Sequence, residues 1–237
     1  MAPARAGDLA TLVVAVDGPS GSGKSSVSRG VAQARGLRYL DTGATYRALT
    51  WWMLQNDVDI TDTDAVAALA AKPVLEAGTD PAAPTISVDG VDVRGPIRSA
   101  EVTGAVSAVS AVPAVRRMLR DLQRDVIGAG GIVVEGRDIG TVVTPDAPVK
   151  IYLTASPEAR AQRRTAELAP SPAVTVAATE AELARRDRLD STRPHSPLAK
   201  ADDAHEIDAT HLTLDQVIEA VLDVVDGAVV STRGGFR

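Results

Sequence analysis

The stretch Val13–Ser26, VVAVDGPSGSGKSS, decides the fold. Leu12–Val16 is a continuous apolar run rich in β-branched residues, the pattern of a strand buried within a parallel sheet. Gly18-Pro19-Ser20-Gly21-Ser22-Gly23-Lys24-Ser25 then fits G-x-x-x-x-G-K-[ST] at every fixed position. Helical composition follows from Lys24 to Arg35 and stops at Gly36, a natural residue for ending a helix. Strand before and helix after give the match its meaning. The glycines let consecutive N–H groups turn inward around phosphate oxygens, and the positive end of the helix adds to the attraction. Lys24 is placed to reach the β- and γ-phosphates of a bound nucleotide, and the Ser25 hydroxyl to ligate the accompanying Mg2+. Gly18 to Ser26 are the candidates for holding that nucleotide.

Composition narrows the class. A chain of 237 residues suits one α/β domain with insertions, or one domain plus a small subdomain. It is 45% hydrophobic and 24% charged, as in soluble globular proteins, with a net charge of −6. That balance argues against a polyanion-binding surface and a nucleic-acid partner, while leaving room for a local basic pocket. The absence of cysteine excludes disulfides, thiolate zinc sites and cysteine nucleophiles. No signal-like leader and no apolar run of roughly 20 residues is present, so a cytoplasmic location without a membrane partner is expected. The acidic surface leans towards a monomer. Arginine outnumbers lysine 21 to 4, a bias that a G- and C-rich genome explains for the total but not for individual positions.

Along the chain, helices are expected at Thr45–Gln55 and Asp64–Ala71. Between Pro73 and Arg98, prolines and glycines punctuate two alternating runs, Thr85–Val88 and Val91–Arg94, around Asp89-Gly90, a hairpin signal. Helical pattern returns from Ala100 to about Val126, with a break near Pro113. Gly131–Val134 and Val149–Leu153 read as core strands. Ser156-Pro157-Glu158 opens a helix to about Leu168. Residues 169–179 read as a loop, Glu180–Arg188 as a charged helix, and Asp190 to Ala204 as a mobile stretch. HEIDAT, 205–210, gives a last strand, and Thr213 caps a closing helix. The alternation predicts an α/β fold, a parallel sheet flanked by helices with a small antiparallel insert. The expected layout is a disordered leader (1–10), a core (11–60 and 127–230) with a lid within about 160–197, an insert (61–126) and a tail (231–237).

The phosphate cradle does not name the acceptor. No Asn-Lys-x-Asp segment for reading guanine is present. The strand ending IVVEGRD puts Glu135, Arg137 and Asp138 at the carboxyl edge of the sheet, where ligands of open parallel sheets bind. An arginine beside the cradle points to a second anionic group, hence to a kinase for a small phosphorylated acceptor. LDTGATYRAL, Leu40–Leu49, brings Asp41, Thr42, Tyr46 and Arg47 to the same edge, although Tyr46 and Arg47 alone could simply cover a helix.

DGPSGSGKSS, LDTGATYRA, VEGRDIGTVVTPDAPVKIYLTAS and RRDRLDSTRPHSPL follow one another as in bacterial cytidylate kinases, and the resemblance runs from about Val13 to Val225. It implies a P-loop core, a monophosphate-binding insert and a mobile lid, with in-line transfer from Mg·ATP to CMP or dCMP. By the same resemblance, Arg47, Arg137 and Arg193 match phosphate-contacting arginines, and their planar, always-charged donors suit that task. Ser107, Arg116 and Asp138 match the base-reading set, Arg186 and Asp190 the sugar contacts; Tyr46 joins the acceptor site, and Thr42 keeps the hydroxyl of a serine often found there. Lys24, Arg137 and Arg193 are the expected catalytic cations. Among Arg160, Arg163 and Arg164 the choice of a group meeting ATP stays open, with Arg163 taken. Without the resemblance, Ser107 reads as an ordinary helix residue and Arg116 as half of a surface pair with Arg117. The three histidines show no metal spacing. Two other readings stand beside this one: a P-loop kinase for a different small acceptor, and a non-catalytic nucleotide switch.

Overall fold

The computed structural model of the chain describes residues 9–168 and 175–234. Its strands are β1 (Val13–Asp17), β2 (Arg38–Asp41), β3 (Leu75–Ala77), β4 (Ile86–Val88), β5 (Val91–Asp92), β6 (Ile132–Gly136), β7 (Val149–Thr154) and β8 (His205–Asp208). Five of them form one parallel sheet in the order β2-β6-β1-β7-β8, and the rest a small antiparallel sheet, β3-β4-β5. Strand β1 lies at the centre of the large sheet, so the loop that follows it opens in the middle of the carboxyl edge.

The helices are α1 (Lys24–Arg35), α2 (Thr42–Gln55), α3 (Thr63–Leu69), α4 (Ala100–Ala111), α5 (Pro113–Ile127), α6 (Pro157–Glu167), α7 (Val176–Thr192) and α8 (Leu214–Gly234). On one face of the large sheet, Val27 and Val31 of α1 and Val217, Val221 and Val225 of α8 bury Val14, Val16, Tyr39 and Ile151. On the other, Ala15, Leu40, Val134 and Ile139 pack with Ile127. A separate apolar cluster joins α2, α3, α4 and α5 to the small sheet through Leu49, Met53, Val66, Val88, Val109 and Leu119.

Local signals account for the helix ends. Gly36 adopts φ 63° at the end of α1 and donates its N–H back to the last turn. Thr213 Oγ1 accepts from Gln216 N while Gln216 Oε1 accepts from Thr213 N, a reciprocal box at the start of α8. Gly18 is required by space: a Cβ there would stand 2.1 Å from the Leu153 carbonyl oxygen.

The structure corrects several expectations. Leu9, assigned to the leader, is buried in the main core, and residues 1–8 lie outside the described residues. Helix α2 starts at Thr42, because the Asp41 carboxylate caps it by accepting from Ala44 N. Strand β3 was unforeseen. Helix α7 starts at Val176, four residues before the expected Glu180, because Thr175 caps it by accepting from Ala178 N, and it runs on to Thr192. Asp190–Thr192 therefore belong to a helix, not to a mobile stretch; residues 169–174 of the expected loop lie outside the described residues. Helix α8 continues to Gly234, into the segment read as a tail.

Candidate active site

A cavity of about 350 Å³ opens at the carboxyl edge of the large sheet. One wall is the phosphate loop, contributing Ser20, Gly21, Gly23, Lys24, Ser25 and Ser26. Gly21 and Gly23 hold φ of 76° and 94°, which keeps the loop wrapped and starts α1 at Lys24. Gly18, Pro19 and Ser22 stand behind the wall. The Lys24 ammonium donates to Pro19 O at 2.7 Å and Ser22 Oγ at 3.3 Å, so the loop's own oxygens hold it. Burial pulls the Lys24 pKa down, and Arg137 nearby adds to this.

The opposite wall gathers Thr42, Tyr46, Arg47, Ser107, Arg116, Arg137, Asp138, Arg186, Asp190 and Arg193. These are all ten residues expected around the acceptor, carried by α2, α4, α5, the end of β6 and α7. Nine cationic side chains line the cavity against five carboxylates, inside a chain whose net charge is −6. Among the described residues, Arg47 donates to neutral groups alone, Thr103 Oγ1 at 3.0 Å and Ile97 O at 3.5 Å, and burial followed by Arg186 lowers its pKa to about 9. Burial and Arg137 lower that of Arg186 to about 10, and burial and Arg116 depress that of Arg193. Among the described residues, Arg186 Nε and Arg193 Nη2 are buried without a hydrogen-bond partner. Guanidiniums crowded together, desolvated and short of acceptors form a site built for a compact anion.

Arg116 and Asp138 form a buried pair at 2.5 Å, and the Arg116 guanidinium stacks on Tyr46 with its carbon 5.3 Å from the ring centre. Asp17, the last residue of β1, fixes Asp138 from behind. Its two carboxyl oxygens accept from Ile139 N at 2.8 Å and Gly140 N at 2.7 Å, holding the single π turn Ile139–Val143 that follows Asp138. Burial outweighs these bonds and pushes the Asp17 pKa up to about 6. Arg137 spans the two walls, donating to Ser20 Oγ at 2.7 Å and Asp190 Oδ2 at 3.0 Å.

Beside this geometry, the sequence matches one family over nearly the whole chain. The family model described as cytidylate kinase matches residues 14–227. The chain belongs to the cytidylate kinase family. It is 60% identical over 223 residues to a cytidylate kinase of Streptomyces griseus, covering 93% of this chain and 95% of that one. It is 55% identical to a cytidylate kinase of Rhodococcus opacus, covering 95% and 97%. Among solved structures, an uncharacterized protein from Eubacterium ventriosum aligns with a TM-score of 0.50 at 10% identity, covering 92% of this chain and 99% of that one, a likeness of fold alone.

Within the cytidylate kinase frame, Arg163, expected to meet ATP, turns away from the cavity: its guanidinium donates to Ala209 O and lies outside the cavity lining. Arg160 and Arg164, four residues apart and so on one face of α6, are the ones that turn towards the site. Arg160 donates to Ser20 O at 2.9 Å and pairs with Asp187, and Arg164 lines the cavity. Asp187 in turn accepts from Ser20 N at 2.8 Å, so α7 clasps the loop by its backbone. Neither Asp187 nor Glu135 was assigned a role from sequence. Glu135 is buried at the end of β6, where burial and the nearby Asp41 push its pKa up while Lys24, Tyr39 and Ser25 hold it down. The strand-ending acid of IVVEGRD was the available signal for it.

Proposed function

We propose that the chain transfers the γ-phosphoryl group of ATP directly to the phosphate of CMP, and of dCMP, giving ADP and CDP or dCDP. The observation that carries this reading is the single cavity: a backbone cradle on one wall, and on the other a set of guanidiniums with too few carboxylates beside a buried Asp138–Arg116 pair.

The acceptor phosphate has a second pKa near 6, so its attacking oxygen is ionised at neutral pH and needs no strong base. Positioning and neutralisation of spreading charge then do most of the catalysis. Arg47, Arg137 and Arg193 converge on the acceptor phosphate, and Lys24 leaves its Pro19 contact for the γ-phosphate. Asp138 accepts from the exocyclic amino group of cytosine; the carbonyl of uracil would meet it acceptor to acceptor. Arg186 and Asp190 take the sugar. Ser25 and, through water, the carboxylates of Asp41 and Glu135 would offer the hard oxygen donors that suit Mg2+, which would supply charge neutralisation at the phosphates of ATP. A lid within about 160–197 would close over the loop, and 61–126 would serve as the monophosphate-binding insert.

A coupled assay with ATP against CMP, dCMP, UMP and AMP tests the reading. CMP and dCMP are expected to lead, with UMP well behind. Equal rates for UMP would overturn the base assignment, and no turnover with any of the four would overturn the kinase.

A further inference from the structure

Tyr39 sits in the middle of β2 with its ring deep in the main core, 1% exposed, among Val14, Val27 and Val133. Packing alone would ask for phenylalanine there, because a buried hydroxyl costs stability unless it finds a partner. The partner is not backbone. The phenol donates to Glu135 Oε1 on the neighbouring strand β6, which pairs with β2 in parallel and sets Asp41 opposite Glu135. Glu135 faces Lys24 and Ser25 across the cavity floor. The hydroxyl thus reaches from the core into the triphosphate wall, and no step proposed above uses it.

We propose that Tyr39 is a positioning residue for the cation that accompanies ATP: its O–H occupies one oxygen of Glu135 and so fixes the carboxyl towards Ser25 and Lys24. The inference rests on the ATP-binding reading of the loop and concerns how that site is held. A glutamate carboxyl otherwise turns freely about its last bond, a broad torsion with little preference of its own. One strong donor approaching from the core side removes that freedom. Only the oxygen turned to the cavity then remains for a metal-bound water.

The experiment uses the full chain and its Tyr39→Phe variant, which keeps the ring and removes the donor. Calorimetric titration with ATP is run in chelator and again with saturating Mg2+. The expected result is an affinity for metal-free ATP within twofold of the parent, together with at least a fivefold smaller gain on adding Mg2+. Mn2+ binding to the protein–ATP complex, read by electron paramagnetic resonance, should weaken in step. An unchanged Mg2+ gain in a folded Tyr39→Phe protein overturns the proposal. Should that variant melt early, the same titrations are run below its melting midpoint, where a reduced Mg2+ gain supports the proposal and an unreduced one overturns it. If the parent itself failed to bind ATP, the fault would lie with the reading of the loop and not with Tyr39.

Discussion

Arg116 Nη2 stands 2.5 Å from Asp138 Oδ2 with both side chains only 7% exposed, so the two groups expected to read the base also satisfy each other. Specificity and stability are therefore coupled at this pair. Removing one partner leaves a buried charge alone, which costs about 3–5 kcal/mol. Asp138→Ala should erode the preference for CMP over UMP by roughly tenfold or more and lower the urea midpoint. Steady-state kcat/KM for both substrates and an unfolding curve check it. A retained preference would count against Asp138 as the base reader.

Arg47 predicts the opposite coupling. Its guanidinium is buried without a carboxylate partner, and its lowered pKa, about 9, records the cost. Arg47→Met should stabilise the unliganded protein by about 1 kcal/mol or more. The same change should raise the KM for CMP at least a hundredfold, since a charge-assisted bidentate grip is lost. Differential scanning calorimetry and kinetics on one preparation decide it.

Asp17 makes stability depend on pH with a definite sign. Its folded pKa, about 6, lies above the usual 3.8, so the folded state binds this proton more tightly than the unfolded chain does. The neutral carboxyl is the favoured buried form. The penalty for the charged form is full above pH 6 and relieved as pH falls towards 4, by about 3 kcal/mol in all. Asp17→Asn cannot titrate. The stability of the parent should therefore rise relative to that variant between pH 7 and pH 4.5, followed by urea unfolding at each pH.

Gly18→Ala should fail for lack of room. A methyl group 2.1 Å from the Leu153 carbonyl requires the loop or β7 to move, because a backbone oxygen offers no flexible escape. ATP affinity should fall by more than tenfold even where the protein still folds, as measured by calorimetric titration.

The parts legible in sequence are those whose causes are local. The phosphate loop, the Asp89-Gly90 hairpin and the Pro113 break each rest on residues adjacent in the chain. Strand β3 was missed because the alternation of Leu75-Glu76-Ala77 covers only three residues, too few to read as a strand, and the segment becomes one by pairing with β4. The start of α7 was hidden because Val176–Thr179 lacks charge and follows two prolines, while its cap is a single hydroxyl. The cavity was foreseen as a set of residues but not as a wiring. The contact of Asp187 with Ser20 spans 167 positions, and no spacing rule connects residues that far apart.

The clasp of α7 on the phosphate loop has a kinetic meaning. Ser20 is held at three points at once: its N–H by Asp187, its carbonyl by Arg160 and its hydroxyl by Arg137, which also grips Asp190. One serine thereby links the wall of Arg137 and Asp190 to the phosphate loop, a route that does not run through the sheet. Arrival of one nucleotide would be felt where the other sits, and the order in which the two substrates bind becomes a property of how firmly that serine is tethered.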